Sequence, residues 1–236
     1  MTEFSLPAFW AVIPAAGVGA RMAADRPKQY LSLGGRTILE HSLGCFLDHP
    51  GLKGLVIALA AHDPYWPGLA CATDSRIQRV DGGGERADSV LNALLHLHTL
   101  GAAEDDWVLV HDAARPNLSR GDLDTLLAEL ADDPVGGLLA VPARDTLKRV
   151  DKQGRVLETV DRALIWQAYT PQMFRLGALH RALADSLVAD ATITDEASAM
   201  EWAGQAPRLI EGRSDNIKVT RPEDLEWLRL RWANRR

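Results

Sequence analysis

Short apolar segments alternate along this chain with segments of helical periodicity, and this alternation limits the folds that are open to it. Five apolar runs, rich in Val, Ile and Leu, predict strands at residues 9–13, 54–60, 77–80, 107–111 and 137–141. These runs lack polar alternation, as is typical of strands that are buried on both faces of a parallel sheet.

Helix signals lie between the apolar runs. Thr37 and Glu40 have the spacing of a capping box, and Ser119 precedes a further apolar stripe. A third stripe, at residues 90–95, follows the apolar run at 77–80. The chain is therefore predicted to be an α/β protein with a Rossmann-like, mostly parallel sheet and helices on both faces. Ligands of such sheets bind beyond the carboxyl ends of the strands.

Composition narrows the class of protein. The 236 residues are 47% hydrophobic, enough for a full core, and we expect a single domain over residues 1–236. The net charge of −6 argues against general nucleic-acid binding. No uninterrupted apolar segment of about eighteen residues and no basic leader occur in the sequence, so neither a membrane span nor secretion is expected. With only Cys45 and Cys71 and no C-x-x-C pair, a cytoplasmic protein with reduced thiols is predicted.

The loop after the first predicted strand has the features of a phosphate site. It is built from small residues, namely Pro14, Ala15, Ala16, Gly17 and Gly19. Backbone N–H groups of such a loop can approach a bulky anion. Arg21 and Lys28 add two cations nearby, which suits charge that develops during phosphoryl or nucleotidyl transfer.

Other interpretations of this loop remain. Gly17 and Gly19 begin a dinucleotide fingerprint, but its third glycine is missing because Met22 stands there. A G-x-x-x-x-G-K-[ST] motif is absent from the sequence. A purely structural glycine turn is a further alternative.

A second glycine-rich loop follows the apolar run at 77–80. Gly82, Gly83 and Gly84 allow close backbone approach, and Ser89 offers a hydroxyl beside the start of a predicted helix. A nucleobase or a phosphate fits there. Alternatively, this is a flexible turn in which Asp88 and Ser89 are ordinary helix-start residues.

Two more polar segments carry candidate groups. After the run at 107–111, Asp112 can meet a metal or a sugar hydroxyl, and Arg115 can pair with Asp112 or with a phosphate. His111 is interpreted as structural, and an ordinary Asp112–Arg115 ion pair is the alternative to a ligand site. Residues 192–196 are predicted to cap a helix. Residues 212–220 are predicted to present Lys218 on a short strand, before a capping box at residues 220–223.

Taken in order, these segments resemble one family. The motifs are P-A-A-G-x-G-x-R-M (14–22), P-K-Q-Y (27–30), G-G-x-E-R-x-D-S-V (82–90), V-H-D-A-A-R-P (110–116), T-P-Q (170–172), T-D-E-A-S (194–198) and N-I-K-V-T-x-P-E-D (216–224). Over residues 10–228 the chain resembles the 2-C-methyl-D-erythritol 4-phosphate cytidylyltransferases of the non-mevalonate isoprenoid pathway. We expect a stand-alone enzyme, without the cyclodiphosphate synthase domain that is fused to some members.

The resemblance implies roles for individual residues. Arg21 and Lys28 match the groups that stabilise the α-phosphate and the leaving pyrophosphate. The positions that match CTP-binding residues are Pro14, Ala15, Ala16, Gly17, Gly19, Gly83, Arg86 and Ser89. Among these, Gly83 and Ser89 match positions that read the cytosine edge. The positions assigned to methylerythritol phosphate are Asp112, Arg115, Thr146, Arg162, Thr194 and Lys218.

The family reaction is an in-line attack of a methylerythritol phosphate oxygen on the α-phosphorus of CTP, with Mg²⁺ neutralising the triphosphate. Asp112 is the candidate protein ligand for Mg²⁺, although phosphates and water can supply most of its shell. Three alternatives stay open: a cytidylyltransferase for ribitol 5-phosphate or another polyol phosphate, a non-catalytic nucleotide-binding regulator, and a dinucleotide oxidoreductase.

A polar interval at about 144–162 predicts a β-hairpin arm. Two strand-like segments flank a turn at residues 151–154 that ends in Gly154. An isolated two-stranded ribbon is marginal in water, and the resemblance implies a homodimer in which each arm embraces its partner. Thr146 and Arg162, at the base of the arm, would then reach the partner's active site. A loose surface hairpin is the alternative.

Overall fold

The structure is a computed structural model that describes residues 6–17 and 25–233. In these residues the strands are β1 (Phe9–Pro14), β2 (Ser32–Leu33), β3 (Arg36–Thr37), β4 (Leu52–Leu59), β5 (Ile77–Asp81), β6 (Trp107–Val110), β7 (Gly136–Pro142), β8 (Leu147–Val150), β9 (Val156–Val160), β10 (Trp166–Arg175) and β11 (Arg208–Glu211). The α-helices are α1 (Ile38–Leu47), α2 (Arg86–Thr99), α3 (Arg120–Leu130), α4 (Leu176–Val188), α5 (Glu196–Trp202) and α6 (Pro222–Ala233).

The described residues form a seven-stranded sheet in the order β11-β7-β10-β6-β1-β4-β5. β1 pairs in parallel with β4 and β6, and β4 with β5. β10 runs antiparallel to both of its neighbours, β6 and β7. The mostly parallel α/β sheet is therefore confirmed, and each of the five predicted strands is present. β10 and β11 were not predicted.

Helices cover both faces of the sheet because successive side chains of a strand point in opposite directions. On β1, Phe9 and Ile13 pack into a core that includes Leu43 of α1 and Leu127 of α3. Val12 points the other way, into a core shared with α2, α4 and α5. All four named core residues of the first face are fully buried, and burying a side chain of this size stabilises the fold by about 1.5–3 kcal/mol.

A third apolar cluster ties the C-terminal helix to the carboxyl end of the sheet. Leu225 and Leu228 of α6 pack with Leu33 of the β2–β3 hairpin and with Val219. The N–H of Val219 donates to the carbonyl of Ala114, at 2.8 Å, in the loop that follows β6. This bond fixes the neighbouring Lys218 beside that loop.

The observed helix starts agree in part with those predicted from the sequence. The capping box of Thr37 and Glu40 and the cap at Ser119 are confirmed. Asp195 caps α5, within the predicted 192–196 segment. The capping box predicted at residues 220–223 is wrong by one residue, because α6 begins at Pro222 and the Asp224 carboxylate accepts from the N–H groups of residues 220 and 221.

The predicted short strand around Lys218 is also wrong. Residues 212–220 lie outside the strands, and the strand in this part of the chain is β11, which ends at Glu211. The segment is held instead by single hydrogen bonds to the loops at the carboxyl edge of the sheet, such as that from the Asn216 side chain to the carbonyl of Thr170.

The arm is confirmed as a hairpin of β8 and β9. Its turn ends in Gly154, whose φ of +79° favours glycine. Arg149 and Glu158 form a cross-strand ion pair at 2.6 Å. Val156 and Leu157 are more than half exposed. Across residues 6–17 and 25–233, no helix has the length and apolar character needed to cross a membrane.

Candidate active site

A cleft of about 350 Å³ opens at the carboxyl ends of the central strands. It is lined by Pro14, Ala15, Ala16, Gly17, Lys28, Gln29, Gly83, Gly84, Glu85, Arg86, Ser89, Asp112, Ala113, Ala114 and Lys218. The fold thus brings together ten of the residues that the sequence assigns to catalysis, CTP or methylerythritol phosphate. Apart from Lys218, which follows β11, these residues lie at the end of β1 or in the segments that follow β1, β5 and β6, as expected for an open α/β sheet.

Six predicted residues remain. Two of them, Gly19 and Arg21, fall outside the described residues. Thr194 is exposed, is not among the residues that line the cleft, and lies two positions before Glu196. Thr146 and Arg162 are exposed at the base of the arm and do not line the cleft of their own chain.

Arg115 lies behind the cleft wall. Its guanidinium donates to the carbonyl of Asn216 at 2.7 Å and stacks on the ring of Tyr169 at 4.5 Å. Its Nε lies 3.5 Å from Asp112. These contacts match the ion-pair alternative for Arg115, and substrate contact by this residue stays a prediction.

Two glycines allow close packing at the cleft: Gly82 lies against Ala16 of the opposite wall, and Gly83 lies against Asp88 of its own loop. A Cβ on Gly82 would lie 2.3 Å from the Cβ of Ala16, and a Cβ on Gly83 would lie 2.1 Å from the Cβ of Asp88. Neither position has room for a side chain without moving the backbone. At Gly84 the nearest atom is 3.6 Å away, so packing does not require a glycine there.

Ser89 closes the glycine-rich loop on itself. Its hydroxyl accepts from the N–H of Gly83 at 3.0 Å and donates to the carbonyl of Glu85 at 3.1 Å. The Asp88 carboxylate accepts from the N–H of Glu85. Both residues therefore organise the loop, as the helix-start interpretation predicts, while the Ser89 side chain also lines the cleft.

A chain of alternating charges runs along one wall. Glu196, fully buried at the start of α5, holds Arg86 through two hydrogen bonds of 2.6 and 3.0 Å. Arg86 donates to Asp112 at 3.1 Å, and Lys218 lies 2.9 Å from the other oxygen of Asp112. Glu196 was missed at the sequence level, although the T-D-E-A-S motif contains it.

These cations keep Asp112 ionised. Burial on its own would raise the pKa of Asp112, but Arg86, Lys218 and Arg115 outweigh burial and hold its pKa far below the usual range. Arg86 behaves in the complementary way, since Glu196 and Asp112 raise its pKa against the effect of burial. The wall therefore presents fixed charges, and Lys218 and Arg86 are its cationic groups at the cleft surface.

His111 is structural, as the sequence predicts. It is fully buried, and its Nε2 lies 3.0 Å from the carbonyl of Arg115, which can only accept a hydrogen bond. Nε2 therefore carries a proton. Because burial lowers the pKa of the imidazole and keeps it neutral, its Nδ1 accepts from the Thr170 hydroxyl at 2.9 Å. That hydroxyl in turn accepts from the N–H of Asp112, which fixes the backbone that carries the carboxylate.

This network predicts acid sensitivity. Burial lowers the pKa of His111 from 6.5 to about 4. Between these pH values the unfolded chain binds a proton that the folded chain excludes. The contribution of His111 to the free energy of unfolding is therefore fully present above pH 6.5 and is lost as the pH decreases towards 4. We expect this residue to lower the free energy of unfolding by about 3 kcal/mol from pH 7 to pH 4. Urea unfolding across this range, with NMR titration of the imidazole, measures it. An imidazole that titrates near pH 6.5 would contradict the assignment.

The fold and the cleft together define a class. Nucleotidyltransferases have this architecture. Their sheet is mostly parallel, and a cleft at the carboxyl ends of its strands is lined by glycine, lysine and arginine residues that suit an anion. The family model for 2-C-methyl-D-erythritol 4-phosphate cytidylyltransferase matches residues 9–229. The chain belongs to this family.

Individual relatives agree over nearly the whole length. The chain is 89% identical to a 2-C-methyl-D-erythritol 4-phosphate cytidylyltransferase of Pseudomonas fluorescens Pf-5 and 84% identical to one of Pseudomonas syringae pv. syringae, over 98% of both chains in each case. A solved 4-diphosphocytidyl-2C-methyl-D-erythritol synthase, 41% identical, superposes with a TM-score of 0.82 over 95% of this chain and 97% of that one. The Francisella tularensis enzyme, 38% identical, gives 0.79 over 93% and 97%.

Proposed function

We propose that this chain transfers CMP from CTP to 2-C-methyl-D-erythritol 4-phosphate. A phosphate oxygen of the methylerythritol phosphate attacks the α-phosphorus of CTP, and the bond from that phosphorus to the bridging oxygen of the leaving pyrophosphate breaks. The products are 4-diphosphocytidyl-2-C-methyl-D-erythritol and pyrophosphate, with no covalent enzyme intermediate. The proposal depends on one observation. The small residues at the end of β1 and after it, which suit a triphosphate, line the same cleft as the Asp112–Lys218 ion pair.

The CTP half uses the loops after β1 and β5. Ala15, Ala16 and Gly17 supply small residues at one wall, and Gly83 and Ser89 form the other. Because these loops match motifs of the family, we assign the triphosphate to the first wall and the cytosine edge to the second. Lys28, which lines the cleft, and Arg21 stabilise the negative charge that builds on the α-phosphate and the leaving group.

The methylerythritol phosphate half uses the charged wall. Asp112 is held ionised and accepts hydrogen bonds from the hydroxyl groups of the polyol, while Lys218 binds its phosphate. We assign Thr194 to the same subsite because it lies two positions before Glu196, which holds Arg86 of this wall. Thr146 and Arg162 act from the arm of a second subunit, because their exposed positions lie away from the cleft of their own chain.

The triphosphate offers better ligands for Mg²⁺ than the protein side chains of the cleft do. Both oxygens of Asp112 already face cationic side chains, those of Arg86 and Lys218, which disfavour a further dication there. Among residues 6–17 and 25–233, no group of three or more His, Cys, Asp or Glu is placed to hold a metal. We therefore assign Mg²⁺ to the phosphate oxygens and water, where it would lower the charge of the triphosphate.

Cys45 and Cys71 are free thiols, which supports a cytoplasmic location.

The test is pyrophosphate release with a panel of nucleotides and polyol phosphates. We expect CTP with methylerythritol phosphate to give the highest kcat/KM, and CTP to be preferred over UTP by at least about 10²-fold, because a hydrogen-bonding site rejects a base that lacks the matching donor. Product analysis distinguishes methylerythritol phosphate from ribitol 5-phosphate. Release with CTP, UTP and ATP at equal efficiency would overturn the proposal.

The same assay tests the glycine-rich loop. Ser89→Ala removes the hydroxyl that holds Gly83 and Glu85, so we expect the preference for CTP over UTP to decrease. Ser75→Ala is a matched control, because Ser75 lies before the amino end of β5, whereas the cleft lies at the carboxyl ends of the strands. An unchanged nucleotide preference in Ser89→Ala would show that this loop does not select the base.

A further inference from the structure

Gln29 is a buried polar residue of the cleft to which the proposed reaction gives no role. It is only 4% exposed and is the middle residue of the 3₁₀ turn Lys28–Tyr30. Its side-chain nitrogen donates to the carbonyl of Ala15 at 2.8 Å and to the carbonyl of Gly17 at 3.3 Å. A carboxamide nitrogen has two N–H donors, and here both are directed to carbonyls of the loop after β1.

The turn that carries Gln29 is itself held from two other directions. Lys28 donates to the carbonyl of Val219 at 2.9 Å, and the Tyr30 hydroxyl donates to Asp63 at 2.8 Å. Tyr30 is as buried as Gln29 and its ring packs on that of Tyr65. Because the turn is anchored at both neighbours, the Gln29 amide is a fixed point against which the loop after β1 is positioned.

The two hydrogen bonds set the orientation of the loop peptides. In a trans peptide the C=O and the following N–H point in opposite directions. Holding the Ala15 carbonyl on Gln29 therefore turns the N–H of Ala16 the other way. In the part of the chain that the structure describes, the N–H groups of Ala16 and Gly17 have no protein acceptor, whereas the N–H of Ala15 continues the ladder to Ala58.

This arrangement matters for an anionic ligand. A carbonyl oxygen carries partial negative charge and would repel a phosphate, whereas a backbone N–H attracts one. We infer that Gln29 is a positioning residue for the triphosphate: it holds the Ala15 and Gly17 carbonyls away from the anion and leaves N–H donors directed at it. The inference rests on the proposed function for the identity of the nucleotide.

Two variants of Gln29 test this role. Gln29→Met keeps the length and volume of the side chain but removes both donors, and we expect the KM for CTP to rise about tenfold while kcat changes less than about threefold. Gln29→Glu keeps the shape but places an acceptor against two carbonyls, so its effect on CTP is expected to be larger. The KM for the polyol phosphate should stay unchanged in both.

Ser186→Ala is the control, because it removes one fully buried hydrogen bond, to the carbonyl of Leu183 in α4, from a position that does not line the cleft. It should lower the melting temperature and leave the KM for CTP unchanged. Binding of CTP and of cytidine to each folded variant, measured by calorimetry or by inhibition, separates the triphosphate from the base: the Gln29 variants should lose affinity for CTP and keep that for cytidine.

The outcomes are distinguishable. Wild-type affinity for CTP in Gln29→Met, or equal losses for CTP and cytidine, would overturn the inference and leave the proposed function intact. If the unmodified chain did not bind CTP, the proposed function itself would fail. Should Gln29→Met not fold, Gln29→Glu, which has the same shape as glutamine, provides the same comparison.

Discussion

Lys28→Ala is expected to lower kcat by about 10² to 10³, the cost that is typical of losing one preorganised electrostatic group at a site of developing charge. The Lys28 side chain lines the cleft and is anchored at the carbonyl of Val219, so its charge is in place before the reaction begins. The charge on the α-phosphate and the leaving pyrophosphate grows in the transition state. CTP binding should therefore weaken less than kcat falls. Arg21→Ala, at a position outside the described residues, carries the same expectation.

Steady-state kinetics of pyrophosphate release measure this effect. Lys53→Ala is a suitable control because it also removes one lysine, here from an exposed ion pair with Asp106 near the amino end of β4, opposite the cleft. We expect that control to retain wild-type kcat. If Lys28→Ala raised the KM for CTP tenfold or more while kcat stayed at the wild-type value, Lys28 would bind the ground state and its assignment to the transition state would be wrong.

The central part of the fold was predictable because its signals are local. The buried strands β1 and β6, and β4 from residue 54 onward, are continuous apolar runs. Caps such as Thr37 lie within three residues of the groups they satisfy. β10 gave no such signal: its first residues are largely exposed, its later ones are buried, and Pro171 lies within it. Proline argues against a central strand because it lacks an N–H for the ladder. β11 is short and buries only Ile210.

Site residues were predictable where a short sequence motif contains the functional side chain. They were not predictable where the hydrogen-bond partner of that side chain is distant in sequence. The loop residues of the cleft were found because small residues and cations cluster within a few positions. Glu196 was interpreted only as part of a helix cap, since its partner Arg86 lies 110 residues away and meets it only in the folded chain. The role of Gln29 was missed for a different reason, because a glutamine carries no charge to mark it.

The arm supplies the prediction with the second large effect. Deleting residues 147–160, which form β8, the turn and β9, should give a monomer with little activity, because we propose that Thr146 and Arg162 at the base of the arm complete the partner's site. Light scattering measures the mass, and pyrophosphate release measures the activity. CTP binding is the control for folding, since the walls assigned to CTP lie within one chain. A fully active monomer would contradict a shared site.

Mixing two inactive variants tests the same idea without a deletion. In a mixed dimer of Lys28→Ala and Arg162→Ala chains, a shared-site arrangement leaves one site with a native Lys28 from one chain and a native Arg162 from the other. Random exchange should therefore restore about a quarter of the wild-type sites. A mixture of Lys28→Ala and Asp112→Ala chains is the matched control. Both residues line the cleft of the same chain, so each site in a mixed dimer lacks one of them, and activity should not return. Restored activity in the first mixture alone would place Arg162 in the partner's site, whereas no recovery despite demonstrated subunit exchange would place it in its own.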